Sequence, residues 1–406
     1  MTDATTTTAN NISAPCGMTN EMPNDAELQN AYARLDKHMC YFLWQDAWKQ
    51  PTASAYVDQL LKEVPNAISD PLKGRLACVT GVKIGGAGYY VAEELAVSLK
   101  MDVVLLGRSP TKLQAAADSI KAKQDAQDAN HANKIYQVPF DLDDLTTAVS
   151  ASKQIKDIAE EYDNALHILV NNAGANIPDR QLTKQNIEVN TGRNFVAPHK
   201  LTAELMPLLR TAADVSDTKF VPRVVFVASI GHISGTDFDV KRFLKHPDEG
   251  GCPEKLMSKE SLEEGVDPLK KSYRQGNFVG GTAMYMYAKF AAIASTYAWA
   301  KHEPKVAFYS LQPGSIASNF GSNAHWLLNF LYYKVFAMFQ FSPSQGAVST
   351  LRACLDPTLV AAHRNGAYLD ANGTPCMPRL PITGQNIYEL GEEIYSTTNK
   401  LCDQLL

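Results

Sequence analysis

The chain of 406 residues lacks most of the marks of an extracellular, metal-binding or nucleic-acid-binding protein. Its seven cysteines stand at 16, 40, 78, 252, 354, 376 and 402, with no CxxC pair and no metal-ligand spacing. That scatter excludes a disulfide framework or a zinc ribbon and suits free thiols in a reducing compartment. Net charge is small, −5, and no long basic run occurs, so nucleic acid is not an expected partner. The start, MTDATTTTANN, has neither the basic nor the apolar region of a secretory signal. No uninterrupted apolar run reaches the roughly 20 residues of a membrane span. The nearest, HWLLNFLYYKVFAMFQF (325–341), is short and carries Lys334. The expected location is cytoplasmic, with peripheral contact to a membrane left open. No internal repeat is present.

Apolar residues make up 45% of the chain, enough for a sizeable core. Residues 1–25, rich in Thr and Asn, read as a disordered tail. Residues 26–72 read as a helical extension. Leu28, Tyr32, Leu35, Met39 and Phe42 recur at helical spacing, Trp44 and Trp48 follow, Pro51 ends the run, and a second helix is expected at 54–63. From about 75 the pattern changes to short apolar strands alternating with longer amphipathic helices. Strands are expected at 75–81, 101–107, 135–140, 166–174, 223–229 and 306–314. Such alternation predicts an α/β domain over 73–380, built on a parallel sheet with both faces covered. A helical tail is expected at 381–406. In such sheets ligands bind beyond the carboxyl ends of the strands.

The motifs sit at those ends. Gly81, Gly86 and Gly88 lie between the first strand and the first helix, where the backbone must turn sharply and approach a pyrophosphate at a helix N-terminus. Arg108 follows the second strand, and no Asp or Glu occurs between 103 and 117. A ribose 2′-hydroxyl usually meets an acid there, whereas Arg108, with Lys83 from the Gly-rich turn, suits a 2′-phosphate. NADP is therefore the expected cofactor, ahead of NAD. Asp141-Leu142 follows the third strand, where a carboxylate can accept from an adenine amino group. Asn171-Asn172-Ala173-Gly174 follows the fourth, with small residues that let a cofactor lie flat. Tyr285 and Lys289 are four apart in an Ala-rich run, one helical turn apart on one face. An ammonium beside a phenol favours the phenolate and lowers its pKa. Such a Tyr suits the proton exchange of carbonyl reduction. Tyr297 and Lys301 share the spacing but lie about 120° further round the helix.

This ordered set resembles the short-chain dehydrogenase/reductase family over about 75–375. It comprises TGVKIGGAG, the Asn-Asn-Ala-Gly, Ser229 after the fifth strand, Tyr285/Lys289, and Pro313-Gly314 after the sixth. The layout is nearest to retinol-dehydrogenase-like and WW-domain-oxidoreductase-like members. The resemblance implies a Rossmann-type doubly wound parallel sheet carrying an NADP(H)-dependent oxidoreductase. It makes Tyr285 the proton donor or acceptor and Lys289 the group that lowers its pKa and holds the nicotinamide ribose. Ser229 would polarise the carbonyl, and Asn190 would position a water leading to Lys289. Ser318 would lie near the pyrophosphate or amide side, with Ile316 beside the carboxamide. No metal is implied.

Three departures stand out. The Gly-rich turn has one extra residue. Ala228 and Ala288 replace familiar serines. Ser229 and Tyr285 are 56 positions apart, so a charged insert at 230–284 is expected to border the substrate site. The apolar run from Trp326 to Phe339, followed by Ser344-Gln345-Gly346-Ala347, suggests a lipophilic small-molecule substrate. The alternative is a cofactor-bound interaction or regulatory protein with little turnover. Homo-oligomer formation is left open.

Overall fold

The computed structural model describes residues 50–64, 72–127, 133–179, 181–214, 220–234, 278–316, 340–361, 364–378 and 386–406, with backbone alone at 278–281. The tail 1–25, all but the last residue of the helix expected at 26–50, most of the 230–284 insert, the apolar run 325–339 and Ser318 lie outside the described residues.

All six expected strands form, each trimmed at one or both ends. They are β1 (Leu76–Thr80), β2 (Asp102–Gly107), β3 (Ile135–Pro139), β4 (Ile168–Asn171), β5 (Arg223–Val227) and β6 (Ala307–Leu311). They pair in parallel in the order β3-β2-β1-β4-β5-β6. Two further strands extend the sheet: β7 (Tyr368–Leu369), parallel to β6, and β8 (Pro375–Cys376), antiparallel to β7. Two residues carry no periodicity, which is why sequence reading misses them. Every residue of β1, β4 and β6 is buried, as helices on both faces require. The chain order reverses between β1 and β4, and the crevice at such a switch point is where ligands bind.

The helices divide between the faces. On one side lie α1 (Ala53–Glu63), α2 (Ala87–Val97), α3 (Pro110–Gln127) and, later in the chain, the helix Val348–Leu355. Val57, Leu95, Ile120 and Leu351 close that half of the core. On the other side lie α4 (Leu145–Ala159), α5 (Ala197–Asp214), α6 (Phe278–His302) and α7 (Ile387–Leu405). There the core holds Ile155, Leu205, Phe290, Trp299 and Ile394. The C-terminal helix is thus part of the core, and a Cβ on Gly391 would strike the Ala294 carbonyl of α6. Helix α1 is capped by Thr52, whose hydroxyl accepts from Ala55 N. It is tied to the main body by Ala53 N donating to Ser344 Oγ at 3.0 Å. Among the described residues no helix is long and apolar enough to cross a membrane.

Candidate active site

The Gly-rich turn is shaped by what lies against it. Gly81 has φ of +73°, a conformation side chains disfavour. Its missing Cβ would stand 2.8 Å from Ala173 Cα, and that of Gly88 would overlap the Asn172 amide. The turn after β1 therefore packs directly on the Asn-Asn-Ala-Gly after β4. Thr80 joins them: its carbonyl accepts from Asn172 Nδ2, and its hydroxyl accepts from Ala173 N, both at 2.9 Å. Gly86 caps α2 with no side-chain bond of its own, leaving the helix N-terminus to an anion. Lys83 folds its stem over Gly86 and stays exposed. These features fit a dinucleotide pyrophosphate.

Tyr285 and Lys289 project from α6 at the carboxyl edge of β5. Tyr285 is 8% exposed and Lys289 4%. The Tyr285 side chain hydrogen-bonds Ser229, and Lys289 Nζ donates to Val227 O at 2.7 Å. Nζ stands 5.6 Å from the Tyr285 ring centroid. Burial takes Lys289 from its ordinary 10.5 down to about 7. Burial also pushes Tyr285 up to about 12, against a smaller downward pull from Ser229. The lowering of Tyr285 expected from Lys289 does not emerge, because desolvation acts on both groups and Nζ is turned to a backbone carbonyl. Ser229 Oγ accepts from Gly231 N at 3.1 Å. His232 holds the same turn, with Nδ1 2.8 Å from Ser229 O and its ring against Tyr368. Tyr297 and Lys301 belong elsewhere: Tyr297 packs edge-on against Tyr388 of α7, and Lys301 pairs with Glu392 at 3.2 Å.

The chain enters α5 through a short turn, Val189–Thr191, and a π-helical turn, Gly192–Val196, a feature often found at functional sites. Asn190 and Asn194 lie four apart, and each carboxamide pairs with one residue of the loop after β4. Asn190 Oδ1 accepts from Ile177 N at 2.8 Å and Nδ2 donates to Ile177 O at 2.9 Å. Asn194 does the same for Ala175, at 3.0 and 2.9 Å. Together they replace a strand neighbour for that loop. Asn190 gives its other amide hydrogen to Glu188 Oε1, and its carbonyl accepts from Asn194 Nδ2. The visible duty of the Asn190 side chain is thus to hold the loop. Glu188, 3% exposed, also takes Thr191 N and Oγ1. A Cβ on Gly174 would stand 2.6 Å from Asn194 Oδ1 and 3.1 Å from Lys289 Nζ, so the two meet across this glycine.

At the outer corner Arg108 is 69% exposed, with Nη1 3.7 Å from Asp143 Oδ2. Asp143 is gripped through both oxygens by Arg193 of the π-helical turn. Asp141 Oδ1 accepts from Asp143 N, and Leu142 packs on the core. Beyond β6, Gly314 has φ of +79° and its N–H bonds Gln312 Oε1. Ile316 bridges to Phe341, and Gly346 leaves room for the Ile316 side chain. The described candidates therefore gather along one edge, with Pro313 and Gly314 at the end of β6. Thr80, Asp143, Glu188, Arg193, Asn194 and His232 were not singled out from sequence. Only the NxxxN spacing of Asn190 and Asn194 could have pointed to one of them.

A Gly-rich turn at the switch point and a Ser229–Tyr285–Lys289 cluster, with Tyr285 and Lys289 buried, thus lie along one edge of the sheet. Residues 75–236 match the short chain dehydrogenase family. An uncharacterized oxidoreductase of Schizosaccharomyces pombe is 31% identical over 347 residues, covering 84% of this chain and 88% of that protein. The chain belongs to the short-chain dehydrogenase/reductase family. It is an oxidoreductase that works with a nicotinamide cofactor on alcohol or carbonyl groups. A polyprenol dehydrogenase of Mus musculus is 32% identical over 166 residues, 41% of this chain and 45% of that one. Among solved structures, an uncharacterized protein of Mycobacterium paratuberculosis superposes with a TM-score of 0.50 at 17% identity, covering 82% of this chain and 96% of that one.

Proposed function

We propose that this chain interconverts an apolar carbonyl compound and its alcohol with NADP(H). The observation that carries the reading is the Tyr285 side chain bonded to Ser229, with Lys289 one turn along α6 and buried beside it. Bound nicotinamide would supply or accept the hydride. Tyr285 would exchange the proton of the substrate oxygen. Ser229 would donate to that oxygen as negative charge develops on it, a preorganised contact stronger in the transition state than in the ground state. Lys289 would regain its full charge beside a negatively charged dinucleotide and so draw the Tyr285 pKa down.

Arg108 supports NADP over NAD, being exposed, cationic and no closer than 3.7 Å to its carboxylate neighbour Asp143. An apolar substrate is supported by the composition of 325–341 and by the name of the polyprenol dehydrogenase relative. The described ends of the 230–284 insert also fit a place beside the substrate, since residues 230–234 carry the Ser229 turn and α6 carries Tyr285. A cytoplasmic enzyme touching a membrane at its periphery is consistent with such a substrate.

The test is NADPH oxidation with long-chain aldehydes, and NADP reduction with polyisoprenoid alcohols. Tyr285→Phe should lower turnover by about 100-fold or more and leave NADPH binding nearly unchanged; full activity in that variant would sink the assignment. Arg108→Ala should erase most of the preference for NADPH over NADH. An unchanged preference would sink the NADP reading. Tight NADPH binding without turnover of any of these compounds would favour an interaction protein instead.

A further inference from the structure

Hydride transfer makes no use of Asp143, yet this carboxylate stands beside the arginine proposed to meet the 2′-phosphate. We propose that Asp143 and Arg193 together set how strongly this chain favours NADP(H) over NAD(H). Arg193 neutralises Asp143, which leaves Arg108 exchangeable and spares the phosphate a repelling charge. The inference rests on the reading that Arg108 meets that phosphate.

The two arginines hold Asp143 very differently. Arg193 takes both carboxylate oxygens, one through Nε and one through Nη2. That forked geometry is the strong form of the pair, and the pair raises the Arg193 pKa, so its charge is constant. Arg108 approaches only to 3.7 Å, beyond hydrogen-bond distance, with its side chain 69% exposed. An ion pair of that kind is weak and screened. Arg108 is therefore the displaceable partner, resting near a carboxylate whose main bond is made elsewhere.

The surrounding charges leave this balance in place. Asp144 is engaged by Lys184 at 2.7 Å. Asp141 and Glu188 act on Arg193 more weakly than Asp143 does. Arg108, Arg193 and Asp143 thus sum to one positive charge. Removing Asp143 leaves two. Removing Arg193 leaves none, and an unopposed carboxylate then draws Arg108 away from a phosphate. The two changes must act in opposite directions on NADP(H), and neither should alter NAD(H), which has no 2′-phosphate.

The experiment is fluorescence titration of NADPH and NADH into the full chain at one ionic strength, for the wild type, Asp143→Asn, Arg193→Gln and the double variant. Asp143→Asn should bind NADPH about threefold to tenfold more tightly, and Arg193→Gln about tenfold more weakly. The double variant should recover at least wild-type affinity, because Arg193 has no carboxylate left to neutralise. NADH affinity should stay within about twofold throughout. Weaker NADPH binding by Asp143→Asn would overturn the inference, since Asp143 would then be presenting Arg108. So would an equal loss of NADPH and NADH in Arg193→Gln, the result of a merely structural role in the π-helical turn. A double variant as weak as Arg193→Gln would overturn it too. Arg108→Ala separates the two claims. If it leaves cofactor preference intact, the NADP reading itself fails. If it removes the preference while the opposite signs are absent, only this inference fails.

Discussion

Replacing Lys289 by Met should stabilise the folded protein at neutral pH while destroying its activity. Lys289 is 4% exposed, and burial depresses its pKa from 10.5 to about 7. Between those values the unfolded chain binds more protons than the folded one, so stability rises with pH across that window. Linkage sets the penalty at roughly 4 kcal/mol at pH 7 and roughly 1.5 kcal/mol at pH 9.5. Methionine has similar reach and no charge to desolvate, but it removes the donor that Val227 O accepts at 2.7 Å. Losing that bond costs about 1–3 kcal/mol at any pH. The variant should therefore gain about 2 kcal/mol at pH 7, and the two terms should nearly cancel at pH 9.5. Urea unfolding followed by the fluorescence of the four tryptophans, at several pH values, reads this directly. The difference between variant and wild type isolates Lys289 from every other titrating group. A Lys289→Met chain destabilised by the same amount at pH 7 and at pH 9.5 would refute the reasoning, because Lys289 would then keep its ordinary pKa when buried.

Other substitutions probe the frame of the site. Gly88→Ala places a methyl on the Asn172 amide; it should weaken NADPH binding by about tenfold and cost about 1–3 kcal/mol of stability, read by titration and by thermal melting. Gly391→Leu drives a side chain into the Ala294 carbonyl where α7 meets α6. A loss of about 3 kcal/mol or more is expected in a urea melt, with cofactor affinity per folded molecule unchanged. Glu188→Ala leaves Thr191 N, Thr191 Oγ1 and one Asn190 amide hydrogen without their shared acceptor. About 2–4 kcal/mol should be lost, and Glu188→Gln should recover part of it.

The six main strands, their order along the chain and the glycines of the turn after β1 were legible in the sequence. Continuous apolar runs such as LACVT and ILVN can satisfy their backbones and bury both faces only in a covered parallel sheet. Gly81 and Gly88 were legible for a similar reason, since their positions tolerate no Cβ. Helical spacing alone does not single out Tyr285/Lys289, since Tyr297/Lys301 shares it; the order of motifs around the pair does, and Tyr297 and Lys301 pack against α7 instead.

Other properties depend on distance through space, which sequence spacing does not encode. The short strands β7 and β8 form because β6 offers an edge to the chain at 364–378, not because two residues prefer to be extended. The direction of the Tyr285 pKa is likewise a product of burial: pattern alone suggested a lowered phenol, and desolvation of both Tyr285 and Lys289 reverses the sign. Arg193 and Asp143 are 50 positions apart and become one ion pair only when the π-helical turn meets the end of β3. The sequence by itself determined which chemical groups this protein has and the sheet that lines them up. The tertiary structure decided which charges are dry and which are paired, because Coulomb and desolvation energies depend on neighbours that only folding brings together.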